Sequence, residues 1–174
     1  MKFGKRKKKI LSLHRSPNTV AASFETKFRT ETVHRGLEAR IKCSASGDKP
    51  VTISWFKDKA PLMIGDDGRY DLIETIMNDG IKSELLIRNT ERRDGGLYTC
   101  LGSNSFGHDD TNIQLIVQEP PDPPSDIKIS DRDGRSIRIL WSNPYSGNSP
   151  LTHFIIQHRI ENGMPKSKSY NQSQ

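Results

Sequence analysis

Asp94-Gly95-Gly96-Leu97-Tyr98-Thr99-Cys100 decides the fold, together with two residues far upstream, Cys43 and Trp55. Cys43 and Cys100 are the only cysteines in the chain. They bracket Trp55, and Tyr98 stands two residues ahead of the second cysteine. That order fits a sandwich of two β-sheets. Each cysteine faces inward from its own sheet, so the pair can bridge the layers. The Trp ring packs against the bridge, and the Tyr hydroxyl ties the corner before its strand to the backbone. Such a bridge closes a long loop, is worth about 4 kcal/mol in the chain-entropy model, and implies an oxidising compartment. The alternative is two buried free thiols, which a cytosolic sandwich tolerates.

Outward from this stretch the chain reads as short strands. Leu37, Ala39, Ile41 and Cys43 alternate with polar residues and share one face. In 51–57, Val51, Ile53 and Trp55 point inward, and Asp58-Lys59-Ala60-Pro61 ends the strand because Pro cannot continue a ladder. Residues 69–77 offer Tyr70, Leu72, Ile73 and Ile76 as apolar surface. Asn78-Asp79-Gly80 reads as a tight hairpin turn with positive φ supplied by Asp-Gly. Leu85 and Ile87 face inward from 81–88, Tyr98 and Cys100 from 97–101, and 113–117 closes the set. Seven short strands in about 95 residues, with no helical period, make a β-sandwich.

Composition supports a chain that is only partly core. Hydrophobic residues are 32% and charged residues 28% of 174, a length that suggests one or two domains. The net charge of +6 is misleading, since seven of the 27 Lys and Arg fall in residues 1–15, with no acid among them. The remainder is close to neutral, which argues against a nucleic-acid-binding face. The basic start, Lys5-Arg6-Lys7-Lys8-Lys9, lacks the apolar run of a signal peptide. It reads as a solvated tail, with an anionic-surface or nuclear-targeting patch as the alternative. Residues 1–23 are taken as tail and linker. No apolar run is long enough to span a membrane as a helix.

Downstream, Glu119-Pro120-Pro121-Asp122-Pro123-Pro124 is a stiff, extended connector. Beyond it Ile127-Lys128-Ile129 and Ser136 to Trp141 alternate again, with a turn at Asp133-Gly134, and Leu151 to Ile160 forms a third strand.

These residues resemble known families. Leu85-x-Ile87, Asp94-x-Gly96-x-Tyr98-x-Cys100, Asn104 and Gly107 resemble the I-set immunoglobulin pattern. Gly102 stands where Ala is usual, and Lys59 where Gly is usual. Pro123-Pro124-Ser125, Trp141-x-x-Pro144 and Gly147 to Ile156 resemble the first half of a fibronectin type III domain. The fold class is therefore all-β: an I-set immunoglobulin β-sandwich over 24–118, a proline-rich linker over 119–124, and an incomplete fibronectin type III sandwich over 125–174. Phe24-Glu25-Thr26-Lys27, Gly47-Asp48-Lys49-Pro50, Thr90-Glu91-Arg92, Asn104 to Asp110 and Tyr145 to Leu151 are similar to the ninth immunoglobulin domain, and the fibronectin domain after it, of the arthropod Down syndrome cell adhesion molecule family.

The resemblance implies a single-pass surface receptor acting in adhesion, neurite self-avoidance and axon guidance. It implies partners among other cell-surface proteins, copies of itself included, through domains outside this segment. It also implies an Arg69–Asp94 ion pair across the base of the sandwich. Trp55, Tyr98, Leu85, Ile87 and Trp141 are the expected structural core. Asn171-Gln172-Ser173 is a candidate glycosylation sequon. An intracellular, titin-like protein built of the same modules is the alternative.

Catalysis is not expected. There is no G-x-S-x-G, no H-E-x-x-H and no phosphate loop. His14, His34, His108, His153 and His158 lack zinc spacing. Asp66-Asp67 and Asp109-Asp110 lack the spaced oxygen ligands of a calcium loop and read as hairpin turns. No cofactor, metal or small-molecule substrate is expected. A half fibronectin sandwich leaves Ile139, Trp141, Phe154 and Ile156 uncovered, so 125–174 is expected to be unstable alone and 24–118 to fold alone.

Overall fold

A computed structural model of the chain describes residues 19–65, 68–134, 136–158 and 166–171. Two sheets form a sandwich between residues 20 and 119. One is five-stranded, in the order β1 (Phe28–His34), β8 (Gly107–Gln118), β7 (Gly96–Asn104), β3 (Thr52–Lys57) and β4 (Ala60–Pro61). The other is three-stranded: β2 (Ala39–Ser46), β6 (Gly80–Ile87) and β5 (Tyr70–Met77). β1 runs parallel to β8, and every other pairing is antiparallel.

The alternation in the sequence becomes the division between core and solvent. In β2, Ala39, Ile41, Cys43 and Ala45 are buried while the residues between them are exposed. Leu85, Ile87, Tyr98, Ile113, Leu115 and Val117 complete the interior with Trp55. A core of this size removes much apolar surface from water, the main favourable term in folding. Cys43 and Cys100 are joined across the two sheets. The buried Trp55 Nε1–H donates to Ser83 Oγ at 3.0 Å, so its one polar atom enters the core satisfied. Tyr98 Oη donates to the Asp94 carbonyl at 2.9 Å, fixing the corner ahead of β7.

Several expectations need correction. The folded unit starts before residue 24: Ala22 is buried, and Ser23 bridges Ser46 of β2. The polar strand β1 carries too little apolar alternation to be read, and β4 is only two residues long. Leu37 is 56% exposed because it lies in the turn after Gly36, ahead of β2. Ile76 is 77% exposed, since β5 is an edge of its sheet, and Ile73 is exposed because the register sets it beside Glu84 on the outer face. The β5–β6 hairpin turns at Asn78-Asp79, but none of residues 78–80 has positive φ. Gly80 is needed for space instead, as a Cβ there would lie 1.9 Å from the Ala45 carbonyl oxygen. Asp109 and Asp110 sit within β8, not in a turn. The turn after β3 uses positive φ at Asp58 and Lys59, without glycine.

After the linker, β9 (Ser125–Arg132) pairs with β10 (Ile137–Ser142), and β11 (His153–His158) pairs with β12 (Lys166–Asn171). Trp141, expected in the core, is only half-buried. It meets Phe154 edge-on, with ring centroids 5.2 Å apart. Ile127, Ile129, Ile137, Leu140 and Ile155 stay exposed. Asn171 ends β12. The rest of its sequon, the basic start, His14 and Asp66-Asp67 lie outside the described residues.

Candidate functional site: the joint below the sandwich

Among the described residues, a dense polar cluster lies where the sandwich meets the linker. Its upper layer is the turn between β6 and β7. Asp94 is buried there, and its carboxylate accepts from Arg69 Nη2 at 2.5 Å, Tyr70 Oη at 3.2 Å and the Glu91 N–H at 2.7 Å. The bond to Asp94 holds the Arg69 guanidinium pKa above its ordinary value, against the opposing effect of burial. Burial, then the neighbouring Asp94 charge, raises the Tyr70 hydroxyl. The structure thus brings Arg69, Asp94 and Tyr98 into one corner, with Tyr70 as a fourth member. Leu85, Ile87, Trp55 and the cysteine pair lie in the core above it.

The lower layer centres on Arg92, in the short 3-10 turn Arg92–Asp94. Its Nη1 and Nη2 donate to Asp122 Oδ2 and Oδ1 at 3.1 and 2.7 Å. Its Nε donates to Glu119 Oε1. The guanidinium carbon also lies over the Tyr145 ring, 4.2 Å from its centroid, within cation–π range. A forked, charge-assisted pair of this kind fixes orientation as well as distance. The bond to Arg92 pulls the Asp122 carboxyl below its usual range, and Arg92 in turn is raised by Asp122 first and Glu119 second. Glu119 is almost fully buried, and its other oxygen takes Arg35 Nη1 at 3.0 Å. Both of its oxygens are therefore paired, as a buried carboxylate requires.

Backbone bonds close the joint from the far side. Glu119 N–H donates to the Gly147 carbonyl and Asp122 N–H to the Tyr145 carbonyl, each at 3.0 Å. Asn148 Nδ2 donates to the Val117 carbonyl at 2.8 Å. Gly147 has φ +70, and a Cβ on it would fall 1.9 Å from the Glu119 carbonyl oxygen. Only glycine meets both demands.

Sequence reading misses this joint. The proline-rich linker is legible as a stiff connector, but the partners of Arg92 are 27 and 30 positions away. The one local signal is Gly147-Asn148, a pair suited to positive φ; both residues adopt it.

Comparison with known proteins decides the family. Residues 22–117 match the immunoglobulin I-set domain. The chain belongs to the immunoglobulin I-set family. This I-set chain is similar to the cell adhesion molecule Dscam1 of Drosophila melanogaster, 43% identical over 136 residues. That match covers 78% of the chain and 7% of Dscam1. It is also similar to human DSCAM, 36% identical over 128 residues, covering 74% of the chain and 6% of DSCAM. The chain therefore spans less than a tenth of the length of either relative. Among solved structures, the I-set sandwich is similar to titin domain M7, with a TM-score of 0.52 and 28% identity over 60% of this chain and all of that one. Family and fold agree on an all-β, disulfide-bridged immunoglobulin sandwich.

Proposed function

We propose that this I-set domain and the hairpins after it are a stalk segment of a cell-surface adhesion receptor. Its contribution is mechanical and non-enzymatic: it holds neighbouring domains at a set angle, on the extracellular face of the plasma membrane. The observation that carries this reading is the Arg92 clamp, which ties the base of the sandwich to Asp122 in the linker and to Tyr145 beyond it. Similarity to Dscam1 and human DSCAM, both cell adhesion molecules, supports the setting. In this reading residues 125–174 are the opening strands of a fibronectin type III domain. The receptor's partners are other cell-surface proteins, and its roles are self-avoidance and axon guidance. The exposed Ile127, Ile129, Ile137 and Leu140 belong under strands that complete that domain.

A second reading, an intracellular structural protein, is favoured by the likeness to titin domain M7. The state of Cys43 and Cys100 in living cells separates the two. Cells are quenched with acid, and free thiols are alkylated before the protein is recovered. The adhesion reading predicts no label on either cysteine unless a reductant is added first. Two labelled thiols without reductant would favour the intracellular reading.

A further inference from the structure

The three-stranded sheet is guarded along one edge and open along the other. At the β2 edge, Ser23 bridges Ser46, and Arg29 Nη2 donates to the Lys42 carbonyl. At the opposite edge, β5 pairs with β6 alone. Its 8 residues keep an unbroken register from Tyr70 opposite Ile87 to Met77 opposite Gly80, with no bulge. They include no Lys or Pro, the residues that commonly blunt an edge. Just ahead of the strand, the Arg88 N–H donates to the Arg69 carbonyl at 2.9 Å. Antiparallel pairs alternate between bonded and non-bonded, so Asp71, Ile73, Thr75 and Met77 also turn their backbone groups toward β6. The N–H and C=O of Tyr70, Leu72, Glu74 and Ile76 therefore point out from the edge. Among the described residues, no backbone bond reaches them.

The side chains of these positions form a row. Leu72, Glu74 and Ile76 lie on the core-side face, opposite Leu85, Ser83 and Ile81. Ile76 is 77% exposed. Glu74 is exposed too, and its carboxylate has no ion pair or hydrogen bond among the described residues. Its neighbours differ in this: Asp71 is held by Arg88, and Glu84 by Lys82. The open edge thus presents an unpaired carboxylate between two apolar side chains.

We propose that β5 takes up an extended segment of another protein as an added antiparallel strand, one in which a Lys or Arg stands two positions from an apolar residue on either side. Main-chain bonds to Leu72, Glu74 and Ile76 supply the affinity, and the side-chain row supplies the specificity. The cation pairs with Glu74, and its apolar neighbours cover Leu72 and Ile76, since directly opposed residues on one face touch. A carboxylate opposite Glu74 is repelled. A wholly apolar segment strips water from Glu74 without replacing it, which costs free energy. A second copy of β5 does not fit, because Tyr70–Met77 holds no Lys or Arg to answer Glu74.

The test is amide NMR of the full chain with the capped peptide Thr-Val-Thr-Lys-Thr-Val-Thr, at up to about 1 mM. The same peptide with Glu in place of Lys is the second probe. The proposal predicts saturable shifts and slowed solvent exchange at the Leu72, Glu74 and Ile76 amides with the Lys peptide. The Glu peptide should bind about fivefold more weakly or worse. Glu74→Lys should reverse that preference. Glu74 is exposed, so this variant is expected to fold, and matching thermal melts check it. Ile129→Lys, on the exposed hairpins, should change nothing. No saturable binding, effects confined to other amides, or a preference that Glu74→Lys leaves in place overturns the proposal. So do the same amide changes appearing without peptide as the chain is concentrated, which would mark a second copy as the occupant. None of these readouts depends on the Arg92 joint or on the thiol state, so this proposal and the stalk reading fail separately.

Discussion

Arg92 and Tyr145 meet across the linker, the guanidinium 4.2 Å from the ring centroid, with Asp122 gripping the same guanidinium by both carboxylate oxygens. The four prolines at positions 120, 121, 123 and 124 stiffen the connector, and this contact adds a specific direction to it. Arg is better suited than Lys here, because only a planar fork can bond Asp122 twice and stack on a ring.

Arg92→Lys should therefore loosen the joint nearly as much as Arg92→Ala. Both should lower the melting midpoint of the sandwich modestly: Arg92 is half exposed and outside the core, but without it the buried Glu119 loses one of its two charged partners. In a double-mutant cycle, Arg92→Ala and Asp122→Ala should be strongly non-additive in their effect on domain orientation. Additive effects would show that the pair is not coupled.

Cys43→Ala should lower stability by about 4 kcal/mol, read from the denaturant midpoint of the oxidised chain. The cysteines are 57 positions apart and join opposite sheets, so the bridge restrains most of the unfolded sandwich. An unchanged midpoint contradicts this.

Gly102 looks like a departure that costs nothing, yet it makes room. A Cβ there would sit 3.0 Å from Ala45 Cβ and 3.1 Å from the Phe24 ring. Gly102→Ala should destabilise by about 1–2 kcal/mol through overpacking. Phe24→Leu in the same chain should recover part of that loss. Stabilisation by Gly102→Ala alone would show that the ring moves aside freely.

Acid should weaken the sandwich at several points together. Asp58 is held below its ordinary value mainly by the Leu97 N–H, and Asp122 by Arg92. For Asp109, burial pushes upward, but Lys27 and the Phe24 N–H outweigh it. A carboxyl depressed on folding contributes stability above its unfolded value, and that contribution is lost as pH falls through the folded one. The melting midpoint should hold from pH 7 to 5 and decline below about pH 4. Added salt should reduce the decline, since these groups are largely solvent-facing. A flat profile down to pH 2.5 would rule out this origin.

Which of these features are legible in the sequence follows from the range of each interaction. Cys43, Trp55, Tyr98, Leu85 and Ile87 stand out by alternation and spacing, because a buried face imposes period two on its own strand. Leu37 and Ile76 share that pattern yet end up exposed, since alternation does not say where a strand starts or whether it lies at an edge. Gly80 and Gly102 are set by the close approach of β2 and Phe24, which no local signal encodes. Arg92, Glu119 and Tyr145 meet only after the sandwich and the linker are both in place. Asn104 lies between these cases. Its sequence context marks a turn, but its amide also bonds the Val20 and Asp48 carbonyls and the Ala22 N–H, pinning the segment before β1.

Limited proteolysis should cut within residues 125–171 first and leave the I-set sandwich intact, because the hairpins expose their apolar side chains while the sandwich buries its own. Accumulation of a fragment ending near Pro120 is expected. Equal resistance of both parts would contradict the instability assigned to the hairpins.

The fixed joint is the centre of this account, and pulsed electron paramagnetic resonance tests it most directly. Spin labels go on Thr75 of β5 and on Pro150, just beyond the joint residues Gly147 and Asn148, both exposed, with Cys43 and Cys100 left bridged. The account predicts one narrow distance distribution in the parent chain, broadened in Arg92→Ala while the label on β5 keeps its local mobility. A broad distribution already present in the parent chain would contradict it, and the segment would then be a hinge, with no set angle to hold.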